Sequence, residues 1–118
     1  MTALDERPAT AMIPVCRYAD LQPDRGVAAL LPDGDQVAIF LPSDGSLHAI
    51  ANIDPFSGAG VLSRGIAGDR AGVAVVVSPV YKQAFDLRTG TCLDDRNVSV
   101  RVYRVVHDDD MVWVGPRQ

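Results

Sequence analysis

The sequence contains almost no glutamate and almost no lysine, two charged residues that favour helices. Glu6 is the only glutamate among fifteen acidic residues, and Lys82 is the only lysine among eleven basic ones. The other fourteen acids are aspartate, which prefers caps and turns, and sixteen valines supply β-branched side chains that suit strands. The composition therefore predicts an all-β fold with little helix.

Cysteines, basic clusters and long apolar runs are also scarce. Two cysteines, Cys16 and Cys92, cannot form the disulfide network of a small secreted domain, and no Cys/His spacing suits a zinc site. The net charge is -4, and without a basic cluster it argues against binding to nucleic acid. No apolar stretch is long enough to span a bilayer or form a signal-peptide core. We therefore predict a cytoplasmic protein that binds neither nucleic acid nor membrane.

A single domain is predicted to follow a short polar arm. Residues 1–10 lack periodic apolar positions and are expected to be a disordered arm, and residues 11–115 are expected to form the domain. Its short apolar runs alternate with turn signals such as Ser43-Asp44-Gly45, which is typical of a sandwich or a partly open barrel of short antiparallel strands. Residues 52–72 break this pattern, with five glycines and no sustained alternation. A loop of that length predicts a functional region.

Two segments carry a specific resemblance to a known family. The first reads Asn-Ile-Asp-Pro-Phe-Ser-Gly over residues 52–58 and continues as Leu-Ser-Arg-Gly over 62–65. The second reads Ser-Pro-Val-Tyr-Lys over residues 78–82 and continues as Phe-Asp-Leu-Arg-Thr-Gly over 85–90. They resemble the two loops of Rieske proteins that read Cys-Pro-His and Cys-Pro-x-His, the second leading into Phe-Asp-Leu-x-Thr-Gly. The resemblance implies a Rieske-like fold.

All four positions that would bind the Rieske cluster carry other residues. The resemblance places Asp54 and Phe56 at the first cysteine and histidine, and Ser78 and Tyr81 at the second pair. A Rieske cluster takes two thiolates on one iron and two imidazoles on the other, which this set cannot supply. We therefore expect no metal and no other cofactor on this chain. A buried Asp54 would need hydrogen-bond donors, for which loop amides, Ser78 and Lys82 are candidates.

The replacement residues form a pattern that is itself similar to the small subunits of assimilatory NAD(P)H nitrite reductases. In that family a large subunit carries FAD, a [4Fe-4S] cluster and sirohaem and reduces nitrite to ammonia. The resemblance implies an accessory subunit that stabilises or positions the large subunit and is not catalytic alone. Two alternatives stay open: a Rieske-type [2Fe-2S] electron carrier, disfavoured by the missing ligands, and a free-standing β-domain that binds another protein.

Five residues in or near these segments are candidate contacts with the large subunit. Aromatic residues and arginines are enriched at the energetic centres of interfaces, although an aromatic at a loop tip can also tuck into its own domain. The candidates are Pro55, Phe56, Arg64, Arg70 and Lys82. No residue is predicted to be catalytic, and the histidines and cysteines are expected to be structural: His48, His107, Cys16 and Cys92.

Overall fold

The computed structural model describes residues 12–117, and its regular structure is almost entirely β-strand. The strands are β1 (Ile13–Arg17), β2 (Val27–Leu30), β3 (Gln36–Phe40), β4 (His48–Ala51), β5 (Ile66–Arg70), β6 (Val73–Val77), β7 (Ala84–Asp86), β8 (Val102–Asp108) and β9 (Met111–Arg117). Within these residues the helical elements are two short 3-10 turns, Tyr18–Asp20 and Leu62–Arg64. The all-β prediction is confirmed. The predicted arm, residues 1–10, lies outside the described residues.

The strands form two antiparallel sheets. The larger has six strands in the order β1-β9-β8-β4-β3-β2, and the smaller has three in the order β5-β6-β7. The edge strands β1 and β2 contact each other, so the larger sheet nearly closes into a barrel. No helix within residues 12–117 is long and apolar enough to cross a membrane.

Strand β3 separates two hydrophobic clusters because side chains alternate across a strand. Ala38 and Phe40 belong to the inter-sheet cluster, which also receives Leu62, Val76 and Phe85. The neighbouring residues Val37 and Ile39 belong to the barrel cluster on the other face of the same strand. The valines and isoleucines of this chain therefore serve two cores, and β3 is buried on both sides.

Two loops leave the sheets at the same end of the domain. Loop 1, residues 52–61, follows β4, and loop 2, residues 78–83, joins β6 to β7. Val77 pairs with Ala84 across the base of loop 2 and with Ile66 on the other side. The base of loop 1 is tied to the start of β3, where the N–H of Asn52 donates to the carbonyl of Gln36 at 3.0 Å.

Candidate functional site

A buried hydrogen bond joins loop 1 to loop 2. The Ser78 hydroxyl donates to Asp54 Oδ2 at 2.5 Å, and both residues are fully buried. The other carboxylate oxygen, Oδ1, accepts from the N–H of Phe56 at 2.8 Å. The Ser78 oxygen also accepts from the N–H of Val80 at 3.2 Å. Because every oxygen of this pair has a partner, burial of the carboxylate is compensated and the loops are held together.

Main-chain bonds fix Asp54 within loop 1. Its N–H donates to the carbonyl of Ala59 at 2.8 Å, and its own carbonyl accepts from the N–H of Gly58 at 2.7 Å. Gly58 has a φ of 75°, a value that glycine adopts without the strain of a β-carbon. The loop is therefore a closed turn that directs the carboxylate inward.

Loop 2 is closed in a similar way around Ser78. Its N–H donates to the carbonyl of Gln83 at 2.9 Å, and its carbonyl accepts from the N–H of Lys82 at 3.1 Å. The Lys82 ammonium donates to the carbonyl of Pro79 at 3.2 Å. Of the donors considered for Asp54, the structure therefore uses a loop amide and Ser78, whereas Lys82 bonds elsewhere.

Asn52 also holds the site together, although sequence analysis did not single it out. This residue is 2% exposed. Its Oδ1 accepts from the N–H of Ser63 at 2.8 Å, and its amide nitrogen donates to Gln36 Oε1 at 3.2 Å. The side chain therefore ties the base of loop 1 to the Leu62–Arg64 turn. The available signal was an amide residue directly after a strand, where a buried polar group must find partners.

The two residues that the resemblance aligns with the cluster histidines differ in orientation. Phe56 is partly buried and packs on the inter-sheet cluster, with its ring centroid 6.3 Å from that of Phe85. Tyr81 is 59% exposed. The structure therefore tucks Phe56 against its own domain, while Tyr81 is accessible to a partner.

Loop 1, loop 2 and the Leu62–Arg64 turn form one end of the domain, called the loop end below. The structure places four of the five candidate contact residues there. Pro55, Arg64 and Lys82 are exposed there, beside the partly buried Phe56. Arg70 lies at the opposite end of β5 from Ile66, and its guanidinium pairs with Asp94 at 3.3 Å. The loop end also exposes apolar side chains: Ile53, Ile66, Val80 and Tyr81.

These residues do not fit a [2Fe-2S] cluster. Asp54 and Ser78 are hydrogen-bonded to each other, and Phe56 has no lone pair to donate. Within residues 12–117, no group of three or more His, Cys, Asp or Glu side chains is placed to hold a metal ion. The cysteines pack with the two hydrophobic clusters, Cys92 in the inter-sheet cluster and Cys16 against the barrel cluster. No electron-transfer step through such a cluster therefore follows for this chain.

His48, His107 and the half-buried Cys16 lie away from the two loops, in contact with other parts of the domain. His48 Nε2 lies 2.9 Å from the Ser46 hydroxyl, and burial lowers the pKa of His48. His107 stacks on Tyr18 with ring centroids 4.2 Å apart. Burial, followed by the charge of a nearby aspartate, raises the pKa of the Cys16 thiol, so that thiol is less reactive than a free one.

A second polar group lies beside loop 1. The Tyr103 hydroxyl donates to Asp35 Oδ2 at 2.9 Å, and an Arg101 guanidinium nitrogen donates to the same oxygen at 3.3 Å. Burial, together with the hydrogen bond to Asp35, raises the pKa of Tyr103 to about 12. The hydroxyl is therefore a firm donor at neutral pH.

Comparisons with known proteins agree with this geometry. Residues 11–115 match the family model of the Rieske-like [2Fe-2S] domain. The nitrite reductase (NADH) small subunit of Escherichia coli K12 is 45% identical over 100 residues, covering 83% of this chain and 91% of that protein. A crystal structure from Mycobacterium tuberculosis, assigned as an NADH-dependent nitrite reductase small subunit, is 53% identical with a TM-score of 0.86. It covers 91% of this chain and 96% of that one.

A longer relative contains a similar domain. The nitrite reductase [NAD(P)H] large subunit of Klebsiella oxytoca is 38% identical over 116 residues, which cover 98% of this chain but 12% of that protein. The fold, the two loops and the identity along most of the chain lead to one assignment. The chain belongs to the Rieske-like domain family and, within it, to the family of nitrite reductase small subunits.

Proposed function

We propose that this chain is the accessory small subunit of a cytoplasmic assimilatory nitrite reductase. The observation that carries the proposal is the Asp54–Ser78 hydrogen bond, which stands at two positions where Rieske proteins hold iron. The domain keeps both loops but has lost the ligands for an electron carrier. Its role is therefore to bind and position a partner, not to transfer electrons itself.

The redox chemistry belongs to the large subunit in this proposal. FAD, a [4Fe-4S] cluster and sirohaem on that subunit pass electrons from NAD(P)H to nitrite and form ammonia. The small subunit contributes no catalytic residue. Its contribution is to stabilise the large subunit or to hold it in an active arrangement.

The Klebsiella oxytoca relative supports this choice of partner. A domain similar to nearly the whole of this chain occurs there within a nitrite reductase large subunit. Two domains joined in one polypeptide meet at a high effective concentration, so even a weak contact between them persists. A separate small subunit has to make the same contact through its own surface.

The loop end is the surface that we propose for this contact. Pro55, Arg64 and Lys82 are exposed there, next to exposed Tyr81. Interfaces combine apolar and aromatic side chains at the centre with a polar rim, and the exposed side chains of the loop end have this composition. Phe56 packs on Phe85 beneath this surface. Arg70, which is paired with Asp94, is the weakest of the five candidate contacts.

A pull-down tests the proposal directly. The tagged chain is co-expressed with the large subunit, and the eluate is assayed for sirohaem absorbance and nitrite-dependent oxidation of NAD(P)H. We expect both to co-purify with the tag. Iron bound to the isolated chain, with a Rieske-type EPR signal after reduction, would instead support the electron carrier. Stable folding without capture of the large subunit would support a β-domain with another partner.

A further inference from the structure

Strands β4 and β8 separate at the edge of loop 1. They pair antiparallel through Ala49 with Tyr103 and Ile50 with Val102. The last bond between them runs from the N–H of Ala51 to the carbonyl of Arg101 at 2.9 Å. Beyond this bond the two segments of the chain diverge, so that residues 51–53 and 99–101 form the two arms of an open fork.

The fork exposes main-chain groups that a continued ladder would have paired. Extending the observed pairing would place Ile53 opposite Ser99, since residue numbers rise along one strand as they fall along the other in an antiparallel ladder. Among the described residues, no hydrogen bond reaches the N–H of Arg101 or either main-chain group of Ile53 and Ser99. All three residues are exposed.

The outward sides of both arms are already occupied, which fixes the direction of the free groups. On one arm the N–H of Asp54 bonds to Ala59, and on the other the N–H of Val100 bonds to Gly90. Because successive main-chain groups of a strand point to opposite sides, those of Ile53 and Ser99 point into the fork. The fork is therefore an edge with both donors and acceptors.

A cleft of about 340 Å³ lies between the arms. Its lining combines apolar side chains of loop 1, Ile53 and Pro55, with the polar group of Asp35, Arg101 and Tyr103. Asp35 already accepts from both Arg101 and Tyr103, so this polar wall is preorganised. An extended main chain with an apolar side chain facing loop 1 matches such a lining.

We propose that this fork receives an extended segment of the nitrite reductase large subunit, which adds to the domain as a short strand. The inference rests on the proposed function and names the part of the domain that pairs with the partner's main chain. The large subunit is the occupant because the fork adjoins loop 1 and because the Klebsiella oxytoca relative contains both components in one polypeptide. Main-chain pairing in the fork would extend the contact made by the loop end.

Hydrogen exchange of the full chain, with and without purified large subunit, tests the proposal. We expect the amides of Ile53, Ser99 and Arg101, which have no partner within the described chain, to exchange at least about ten-fold more slowly in the complex, since a paired amide exchanges only on opening. The turn at residues 43–45, between β3 and β4 at their other end, serves as the reference and should not change. Binding without slower exchange in both arms would overturn the fork and leave the proposed function standing.

A matched pair of variants distinguishes main-chain pairing from a partner that covers the fork without hydrogen bonds to it. Ser99→Pro removes an N–H that has no partner within the described chain, whereas Ser99→Ala keeps it. We expect Ser99→Pro to weaken binding about ten-fold and Ser99→Ala to bind like wild type. Equal affinity of the two folded variants overturns strand addition. If Ser99→Pro does not fold, the exchange measurement decides alone, and failure of the wild-type chain to bind overturns the proposed function together with the fork.

Discussion

Ser78 donates its hydroxyl to the carboxylate of Asp54 across 24 residues of chain, and this bond links the two loops in the interior of the domain. The resemblance to Rieske proteins places both residues where a cluster would have its thiolates. A donor and an acceptor at these positions cross-link the loops without a metal. The loop end therefore keeps a defined shape, which a docking surface needs.

Replacement of Asp54 by alanine should destabilise the domain. The change leaves the Ser78 hydroxyl and the Phe56 N–H without their acceptor in a buried place. We expect a loss of about 1–3 kcal/mol in the free energy of unfolding, and a melting temperature lower by roughly 10 °C. Thermal unfolding followed by circular dichroism measures both. Asp108→Ala, at an exposed position of β8, is the control, and an equal effect of the two changes would contradict this account.

Phe56→Ala and Arg64→Ala should have different effects. The Phe56 ring packs on the inter-sheet cluster, so its loss should lower stability by roughly 2 kcal/mol, less than for a fully buried ring. Arg64 is exposed, so its loss should leave stability unchanged and weaken binding to the large subunit about thirty-fold if it is an interface anchor. Arg88→Ala, another exposed arginine, is the matched control. Wild-type affinity of Arg64→Ala would move the interface away from this arginine.

Lys82→Gly should give a more stable isolated chain than Lys82→Ala, while both changes weaken the complex. Lys82 has a φ of 67°, which a side chain with a β-carbon adopts at a cost that glycine avoids. We expect the free energy of unfolding to be higher than that of Lys82→Ala by about 1 kcal/mol, because alanine keeps the strain. Both variants lack the ammonium and should lose the same affinity. Chemical denaturation and titration with the large subunit separate the two effects.

The burial of Tyr103, together with its hydrogen bond to Asp35, predicts that stability depends on alkaline pH. Tyr103 has a pKa of about 12 in the folded chain, above the value of 10 that it would have when unfolded. The contribution of the protonated Tyr103 hydroxyl to the free energy of unfolding is therefore complete below pH 10 and is lost as the pH rises towards 12. Tyr103→Phe should be less stable than wild type at pH 8, and the difference should shrink across that window. Denaturation at a series of pH values checks this, and a constant difference would be inconsistent with the raised pKa.

The fold class was predictable because it depends on local patterns, and the resemblance of the two loop segments to Rieske proteins predicted where a candidate site would lie. The excess of valine and aspartate over glutamate and lysine indicated strands and turns, and the two loop segments indicated the site. The partners of individual side chains were not predictable in the same way. The pairing of Arg70 with Asp94 and the packing of Phe56 on Phe85 join distant parts of the chain, as does the bond from Asn52 to Ser63. Such contacts depend on how the two sheets meet, which local patterns do not encode.

The burial of β3 on both faces makes this strand a shared wall between two cores. Volume added on one side has no solvent to move into, so it displaces the wall towards the other core. Ala38 and Ile39 are neighbours in sequence but belong to different cores, and a larger residue at either position would press on both. Gln36, at the start of the same strand, bonds to Asn52 at the base of loop 1. A displacement of β3 caused by a change in the barrel cluster therefore also displaces the base of loop 1. Substitutions far from the loops can therefore alter the shape of loop 1 without contacting it.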